Sequence, residues 1–277
     1  MEEELWREQV DVNPPEGTPS WLELSVPDPD RAREFYGDLF GWTFEGDLCL
    51  LDGLPVAAVR PLGDGPGEPD TPEWTVFFAT DDCDRTSDRV NAAGGHVLRS
   101  PYEDGDRGRA ALVADPTGAR FGLWQGRELA GTRLVNGYGT FIFNELLTTD
   151  GERALPFYQE LFGYRPPASS SSSDLVRPDG HTVASVISHE VMDDPDDPTE
   201  SDLPHMVTLD GSLHLPGHGS WLTYFAVDDA HKATKHLQDA GGWAHSPGPV
   251  ECPWGRVAAV KDPLGTPFRL IEPWDVI

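Results

Sequence analysis

Two glutamates that follow aromatic residues are the side chains best suited to chemistry in this sequence. Glu23 lies two positions after Trp21 in an extended stretch, and Glu145 lies two positions after Phe143 in a similar one. Alternation along a strand places each glutamate on the same face as its aromatic neighbour. In a concave apolar site such a carboxyl would have a raised pKa, and it could act as a general acid or base or meet a cationic ligand.

A purely structural role for the two glutamates is the competing interpretation. Each could pair with an inward-facing arginine, such as Arg120 or Arg269, in an ion pair that recurs because the sequence is duplicated. Glu23 and Glu145 are therefore the candidates for catalysis, and the sequence leaves open whether the chain is an enzyme.

Histidines are weaker candidates for a metal site, although eight of the nine lie in the second half of the chain. A metal site needs two or three converging side chains. His189 and His205 are among these eight, and His214 and His218 lie in a stretch rich in Gly and Pro, which predicts a solvated loop. His181 begins a predicted strand and is the better single candidate.

The segments that must position these residues occur twice in the sequence. Residues 74–123 recur at 221–270, an offset of 147, and residues 23–42 are echoed at 145–164, an offset of 122. The difference of 25 residues indicates an insertion in the second half. A repeat of this kind indicates two similar halves, each made of two units.

Each unit has the pattern of a strand, a helix and three further strands. In the first unit the pattern predicts a strand at 20–26 and a helix over 30–40 that ends at Gly41. In the second it predicts a strand at 74–80 and a helix over 82–93. We therefore predict an α+β fold of four βαβββ units, in which units adjacent in sequence share a sheet.

Domain boundaries follow from the repeat. We predict an N-terminal lead at 1–19, a first domain at 20–126, a linker at 127–138 and a second domain at 139–277. Each domain is large enough to bury its own core.

Composition narrows the partners and the compartment. With 48 acidic and 20 basic residues the net charge is −28, which argues against binding to nucleic acid or to an anionic membrane. The acidic start, the absence of a long apolar run and the three scattered cysteines (Cys49, Cys83 and Cys252) favour a soluble cytoplasmic protein without a disulfide framework or thiolate zinc site. A monomer or a homodimer is expected.

Two motifs connect the pattern with a known superfamily. The first helix reads D-x-x-R-A-x-x-F-Y-x-x-L-F-G-W from Asp28, and the last strand of the first half follows D-P-x-G-x-x-F from Asp115. With four βαβββ units, the chain from Trp21 to Pro273 resembles the vicinal oxygen chelate superfamily, which includes glyoxalase I, bleomycin-resistance proteins and extradiol dioxygenases. It is most similar to two-domain actinobacterial members labelled hydroxylases or glyoxalase/bleomycin-resistance proteins, which share the W-x-E-L sequence found here from Trp21.

This resemblance implies curled sheets around cavities and, in catalytic members, a divalent metal held by His, Gln or Glu on the first and last strands. The corresponding positions in this chain are Trp21, Thr75, Gly122, Phe143, Leu222 and Arg269. None of these side chains is an ordinary metal ligand. We therefore expect the standard metal site to be absent and no cofactor to be required.

Alternation along the first and last strands of the units predicts an apolar and aromatic lining for such cavities, which suits a flat hydrophobic or aromatic ligand; the same residues could instead belong to an ordinary core between sheet and helices. The residues expected to contact a ligand are Trp21, Glu23, Phe77, Trp124, Phe143, Glu145, Tyr224 and Arg269. The leading prediction is a protein of the bleomycin-resistance type that binds a small hydrophobic or aromatic molecule, which could be cationic, without a metal.

Two alternatives remain open at this stage. One is a metal-dependent lyase, isomerase or oxygenase of secondary metabolism or detoxification, whose divalent metal ion is held by Glu23, Glu145 and His181. The other is a scaffold with vestigial cavities.

Overall fold

The computed structural model describes residues 8–63, 65–165, 174–188, 219–245 and 248–274. The elements of the first half are β1 (Glu8–Gln9), β2 (Pro19–Val26), α1 (Pro29–Phe40), β3 (Thr43–Glu45), β4 (Leu48–Leu51), β5 (Leu54–Pro61), β6 (Glu73–Ala79), α2 (Cys83–Ala92), β7 (His96–Asp104), β8 (Gly108–Ala114) and β9 (Arg120–Gly126). Those of the second half are β10 (Leu134–Val135), β11 (Phe141–Thr148), α3 (Gly151–Phe162), β12 (Asp174–Val176), β13 (Thr182–Ser188), β14 (Ser220–Ala226), α4 (Ala230–Asp239), β15 (Trp243–Ala244), β16 (Val250–Cys252), β17 (Gly255–Lys261) and β18 (Pro267–Pro273).

Capping residues define the ends of the helices. At the start of α1 the Asp28 carboxylate accepts a hydrogen bond from the backbone N–H of Arg31, and Asp82, Asp150 and Asp229 cap the other helices in the same way. Gly41 ends α1 at φ 73°, a left-handed conformation that glycine adopts at low cost. The capping aspartates are thus part of the repeated plan.

Strands β2 to β9 form the first sheet, in the order β3-β4-β5-β2-β6-β9-β8-β7. The two units join where β2 pairs antiparallel with β6, which sets Trp21 opposite Phe77 and Glu23 opposite Thr75. β2 also pairs with β5, and β6 with β9, in parallel. The prediction that units adjacent in sequence share a sheet is confirmed.

The second sheet repeats this plan in the order β12-β13-β11-β14-β18-β17-β15, and β16 adds to β17. β11 pairs antiparallel with β14, so that Phe143 lies opposite Tyr224, and Tyr224 in turn lies opposite Arg269 across β14 and β18. Outside the two sheets, β1 pairs with β10. The predicted α+β fold of two tandem domains, each with a mixed sheet of eight strands, is confirmed.

One strand is longer than the sequence indicates. The pattern predicts a strand near 96–99, whereas β7 continues to Asp104 with an irregularity in register between Arg99 and Tyr102. Pro101 lies in that irregularity, and β7 is an edge strand, the position at which a sheet tolerates proline. The extension brings the end of β7 onto the inner side of the sheet.

A single core joins the two halves. It contains one face of each sheet together with the apolar sides of the helices, and rings from different halves meet there: Phe40 lies 5.0 Å from Phe225 and Phe78 lies 5.2 Å from Trp221, measured between ring centroids. Leu22 and Leu24 point into this core, whereas Trp21 belongs to a smaller cluster on the other face of the first sheet. The inner face of each sheet therefore lies outside this core.

Among the described residues, no helix combines the length and apolar composition of a membrane span.

Candidate functional site

The inner face of the first sheet holds a cavity of about 320 Å³. Phe77 from β6 and Leu112 from β8 contribute apolar surface to it, and Glu23 from β2 lines it as well. Tyr102 and Asp104 reach the cavity from the extended end of β7. The cavity therefore combines an apolar floor with a strongly polar wall, which is the usual composition of a small-molecule site.

Glu23 is the most buried charged group of this cavity, at 7% exposure. Its Oε1 atom accepts hydrogen bonds from Trp21 Nε1 at 3.2 Å and from Arg60 Nη2 at 2.9 Å. Burial raises the pKa of Glu23, and the attraction of Arg60 offsets this only in part. The carboxyl can therefore hold or release a proton at a higher pH than an exposed glutamate.

Arg60 connects Glu23 to a chain of charges along the polar wall. Its Nη2 atom lies 3.0 Å from Asp104 Oδ2, and its Nη1 atom lies 3.5 Å from Asp47 Oδ2. Arg107 contacts the same two aspartates, at 3.0 Å from Asp47 Oδ1 and 3.1 Å from Asp104 Oδ2. Burial acts to raise the pKa of Asp47, but the hydrogen bonds and attraction of the two arginines outweigh it and leave that pKa lowered. The aspartate is thus held ionised.

An arginine also forms the outer rim of the cavity. The guanidinium of Arg99 lies 3.6 Å from the centre of the Tyr102 ring, and its Nη1 atom lies 3.3 Å from Glu68 Oε1. Stacking of this kind holds both side chains in place. Burial raises the pKa of Tyr102, so its hydroxyl remains neutral.

Close packing of Phe77 against Gly122 shapes the floor. A Cβ atom built on Gly122 would lie 1.9 Å from Phe77 Cδ1, so the ring rests where any side chain at this position would project. Behind it the rings of Trp21 and Trp124 stack with centroids 6.2 Å apart. Phe77 and Glu23 thus line the cavity, whereas Trp21 and Trp124 pack in the layer that supports it.

The equivalent face of the second sheet has a different chemistry. Glu145, Tyr224 and Arg269 are 3%, 1% and 1% exposed. The Tyr224 hydroxyl donates a hydrogen bond to Glu145 Oε2, and the Phe143 ring meets the Tyr224 ring edge-on. Burial raises the pKa of Glu145, although the Tyr224 hydrogen bond and the charge of Arg269 both oppose the increase.

Of the two arginines expected to pair with the glutamates, only Arg269 lies near one. It acts on the charge of Glu145, as the structural interpretation expects. Arg120 instead donates to the carbonyl of Gly67, and the partner of Glu23 is Arg60. The expectation that Arg120 pairs with a glutamate was therefore wrong.

Arg60, Asp104 and Tyr102 are not among the residues that the sequence predicts for the site. Arg60 lies two positions after Ala58, a member of the inner cluster of the first sheet, and so falls on the inward phase of β5. An arginine at an inward-facing position of a strand is the feature of the sequence that could have identified this residue.

The positions that hold a metal in catalytic relatives carry other groups here. Trp21 Nε1 donates to Glu23, Gly122 is covered by Phe77, and Arg269 is a buried cation. Within the described residues, no group of three or more His, Cys, Asp or Glu side chains could hold a metal ion.

Nor does the structure unite Glu23, Glu145 and His181, the three residues of the metal-dependent alternative. Glu23 and Glu145 lie on the inner faces of different sheets. The side chain of His181 is 75% exposed beside Asp179. His189, His205, His214 and His218 lie outside the described residues.

Comparisons with known proteins agree with this architecture. Residues 18–123 and 141–270 match the family model of the Glyoxalase/Bleomycin resistance protein/Dioxygenase superfamily. A Mycobacterium tuberculosis protein named "Putative glyoxylase CFP32" is 34% identical over 269 residues, 93% of this chain and 95% of its own length. The anthracycline biosynthesis protein DnrV of Streptomyces peucetius is 31% identical over 276 residues, 92% of this chain and 93% of its own.

Solved structures share the fold at lower identity. The Mn(II)-bound glyoxalase from Novosphingobium aromaticivorans has a TM-score of 0.57 and 14% identity, covering 95% of this chain and 84% of that one. The 2,3-dioxygenase LapB from Pseudomonas sp. KL28 has a TM-score of 0.57 and 14% identity, covering 93% of each chain. The resemblance inferred from the helix and turn motifs is confirmed, and the chain belongs to the glyoxalase/bleomycin resistance protein/dioxygenase superfamily.

Proposed function

We propose that this protein binds a small organic molecule in the cavity of its first domain, without a metal ion. The observation that carries the proposal is the cavity itself, about 320 Å³ in volume, in which the buried carboxyl of Glu23 lies beside an apolar floor. Sites for small molecules start at about this volume and combine apolar walls with a few polar groups. Phe77 and Leu112 supply apolar contact area, and Glu23 orients the ligand.

The donor chemistry of the inner faces supports binding without a metal. An indole N–H can only donate, glycine has no side chain, and arginine carries a permanent positive charge. Trp21, Gly122 and Arg269 therefore do not fit a divalent cation at the positions that hold one in catalytic relatives. No step of the proposed function passes through a metal.

Relatives suggest the biological setting. The Streptomyces relatives are named as anthracycline biosynthesis proteins, and this chain matches them over more than nine tenths of their length. We propose a role in secondary metabolism for this chain too, in which it binds an intermediate or product.

A thermal-shift screen against planar aromatic compounds tests the proposal. The parent protein should be stabilised by compounds that enter the cavity, because a ligand that binds only the folded state raises the melting temperature. Leu112→Trp should fill the cavity and abolish the shift, whereas Leu112→Met, which nearly conserves volume, should retain it. A shift of equal size in the Trp variant would contradict the proposed site.

A further inference from the structure

We propose that the first-domain cavity selects a cation, and that its ligand is an aromatic molecule with a protonated nitrogen whose N–H group lies against Glu23 and Asp104. This inference rests on the proposed function and names the class of molecule that the cavity takes. It is carried by the balance of charges in the cavity and by the atoms that remain available to a ligand.

The polar wall has more negative than positive charge. Among the described residues, the connected group contains the carboxylates of Glu23, Asp47 and Asp104 and the guanidiniums of Arg60 and Arg107. The wall therefore has one carboxylate more than it has arginines to balance it. A ligand with one positive charge would restore neutrality where burial makes charge imbalance costly.

The other charged residues that the structure describes in the cavity lining, Glu68, Arg99 and Glu103, do not alter this balance. Glu68 is matched by Arg99. Glu103 turns toward the surface, where it lies 2.8 Å from Arg109 Nη1 and 2.5 Å from Arg127 Nη1. Each carboxylate outside the connected wall thus has an arginine of its own.

Glu23 offers a hydrogen-bond acceptor to such an N–H group. Both hydrogen bonds that it receives from the described residues go to Oε1, from Trp21 and Arg60. Oε2 therefore remains available in a side chain that lines the cavity. Burial raises the pKa of Glu23, and a protonated nitrogen of the ligand at Oε2 would lower it again by stabilising the ionised form.

An anionic ligand would meet arginines whose charge is already balanced by neighbouring carboxylates. Arg60 Nη2 is shared between Glu23 and Asp104, and its Nη1 atom faces Asp47. Arg99 is stacked on Tyr102 and paired with Glu68. A carboxylate or phosphate would bring a further negative charge beside the carboxylates that these arginines already balance, whereas a cationic group would be attracted to those carboxylates.

Three planar tricyclic probes of similar shape separate charge from size. 9-Aminoacridine is a cation near neutral pH, acridine is neutral and 9-anthracenecarboxylate is an anion. Fluorescence titration of the full chain gives the dissociation constant of each. We expect the cation to bind roughly 10- to 100-fold more tightly than the neutral probe, which is the range of a charge-assisted hydrogen bond, and the anion to bind most weakly.

Matched variants locate the selection. Glu23→Gln should bring the affinities of the cationic and neutral probes together, and Asp104→Asn should narrow the difference as a second, independent variant. Glu145→Gln, at the repeat-equivalent position in the second domain, should keep the parent preference. Glu23→Gln and Glu145→Gln each replace one buried glutamate of raised pKa and change the formal net charge of −28 by the same unit, so the two variants are matched in formal charge.

Failure of the charge selection and failure of the proposed binding site give different experimental results. Equal affinity for the three probes, abolished by Leu112→Trp, overturns the charge selection and leaves the cavity as the site. Binding that survives Leu112→Trp overturns the proposed function. A cation preference lost in Glu145→Gln instead of Glu23→Gln moves the site to the second domain and overturns this inference, as does failure of all three probes to bind.

Discussion

The hydroxyl of Tyr36, on α1 of the first domain, lies 3.1 Å from Oδ2 of Asp262 in the second domain. The same hydroxyl accepts a hydrogen bond from Trp74 Nε1 at 3.0 Å. All three side chains are buried, so the bonds form away from competing water. The tyrosine therefore connects the core of its own domain to the turn before the last strand of the other domain.

The second domain makes the equivalent contact with the first domain. Tyr158 Oη lies 3.1 Å from Asp115 Oδ2 and accepts from Trp221 Nε1 at 3.1 Å. We expect Tyr36→Phe and Tyr158→Phe each to lower the free energy of unfolding by about 1–3 kcal/mol, because a buried carboxylate and an indole N–H each lose a partner. Urea unfolding measures the change. Tyr102→Phe is the control, since the Tyr102 hydroxyl makes no hydrogen bond with the described residues, and an equal loss in all three variants would refute this account.

Glu145→Gln should change how stability depends on pH. Burial raises the pKa of Glu145 above its ordinary value of 4.5, despite the Tyr224 hydrogen bond and Arg269. Above pH 4.5 the unfolded chain has released this proton while the folded chain retains it, so the contribution of the protonated carboxyl is present below that pH and is lost as the pH rises through the folded pKa. Gln cannot ionise. The unfolding free energy of the variant should therefore increase relative to that of the parent as the pH rises above 4.5, and the difference should level off above the folded pKa of Glu145.

Glu103→Gln provides the control for that experiment. Hydrogen bonds from Arg127 and Arg109 lower the pKa of Glu103, so its contribution changes only below pH 4.5. This variant should show no gain on the parent at higher pH. A constant difference between the Glu145 variant and the parent across the range would show that the Glu145 carboxyl titrates as an exposed one.

Gly122→Ala should displace Phe77. The added Cβ atom would lie 1.9 Å from Phe77 Cδ1, and a well-packed layer that includes Trp124 supports the ring from behind. Overpacking of this kind costs about 1–3 kcal/mol. Urea unfolding should detect this loss, and the altered floor should weaken binding of cavity ligands. Gly65→Ala, where the new methyl group meets only Glu68 Cγ at 3.7 Å, should leave stability nearly unchanged, and equal effects of the two substitutions would contradict the packing argument.

Metal removal should leave the protein unaffected. A metal bound only by the folded state would add to stability, so its loss on chelation would lower the melting temperature. We expect a change within about 1 °C when EDTA is added to protein purified without a His tag, and no stoichiometric metal by elemental analysis. A drop of several degrees, or one equivalent of iron, manganese, zinc or nickel, would restore the metal-dependent alternative.

Repetition in the sequence was sufficient to predict the βαβββ units and their pairing, because the same strand and helix-cap signals occur in all four units. The same reliance on repetition is the reason that Arg60 was not predicted. Arg60 lies opposite Ser25 across β2 and β5, and the equivalent pair in the second domain is Leu147 and Ile187. Glu23 and Glu145 stand out because both halves carry them at equivalent positions. Arg60 does not, because only the first half has an arginine at that position.

Parallel register is the second reason that the polar wall was not foreseen. β2 and β5 are separated by a helix and two strands, and their side-by-side alignment depends on packing of the whole sheet. The end of β7 depends likewise on the irregularity around Pro101, a residue whose local signal is to end a strand. Asp104 and Tyr102 enter the cavity only because of that continuation.

The reciprocal tyrosine–aspartate contacts also have an evolutionary consequence. Each half carries both partners, so two separate copies of an ancestral half could meet about a twofold axis through the same bonds. Gene fusion makes that association intramolecular and independent of protein concentration. Once it no longer depends on two identical surfaces, each inner face is free to diverge, as Gly122 in one half and Arg269 in the other have done. A symmetric dimer with two equal inner faces can in this way become one chain whose two inner faces differ in chemistry.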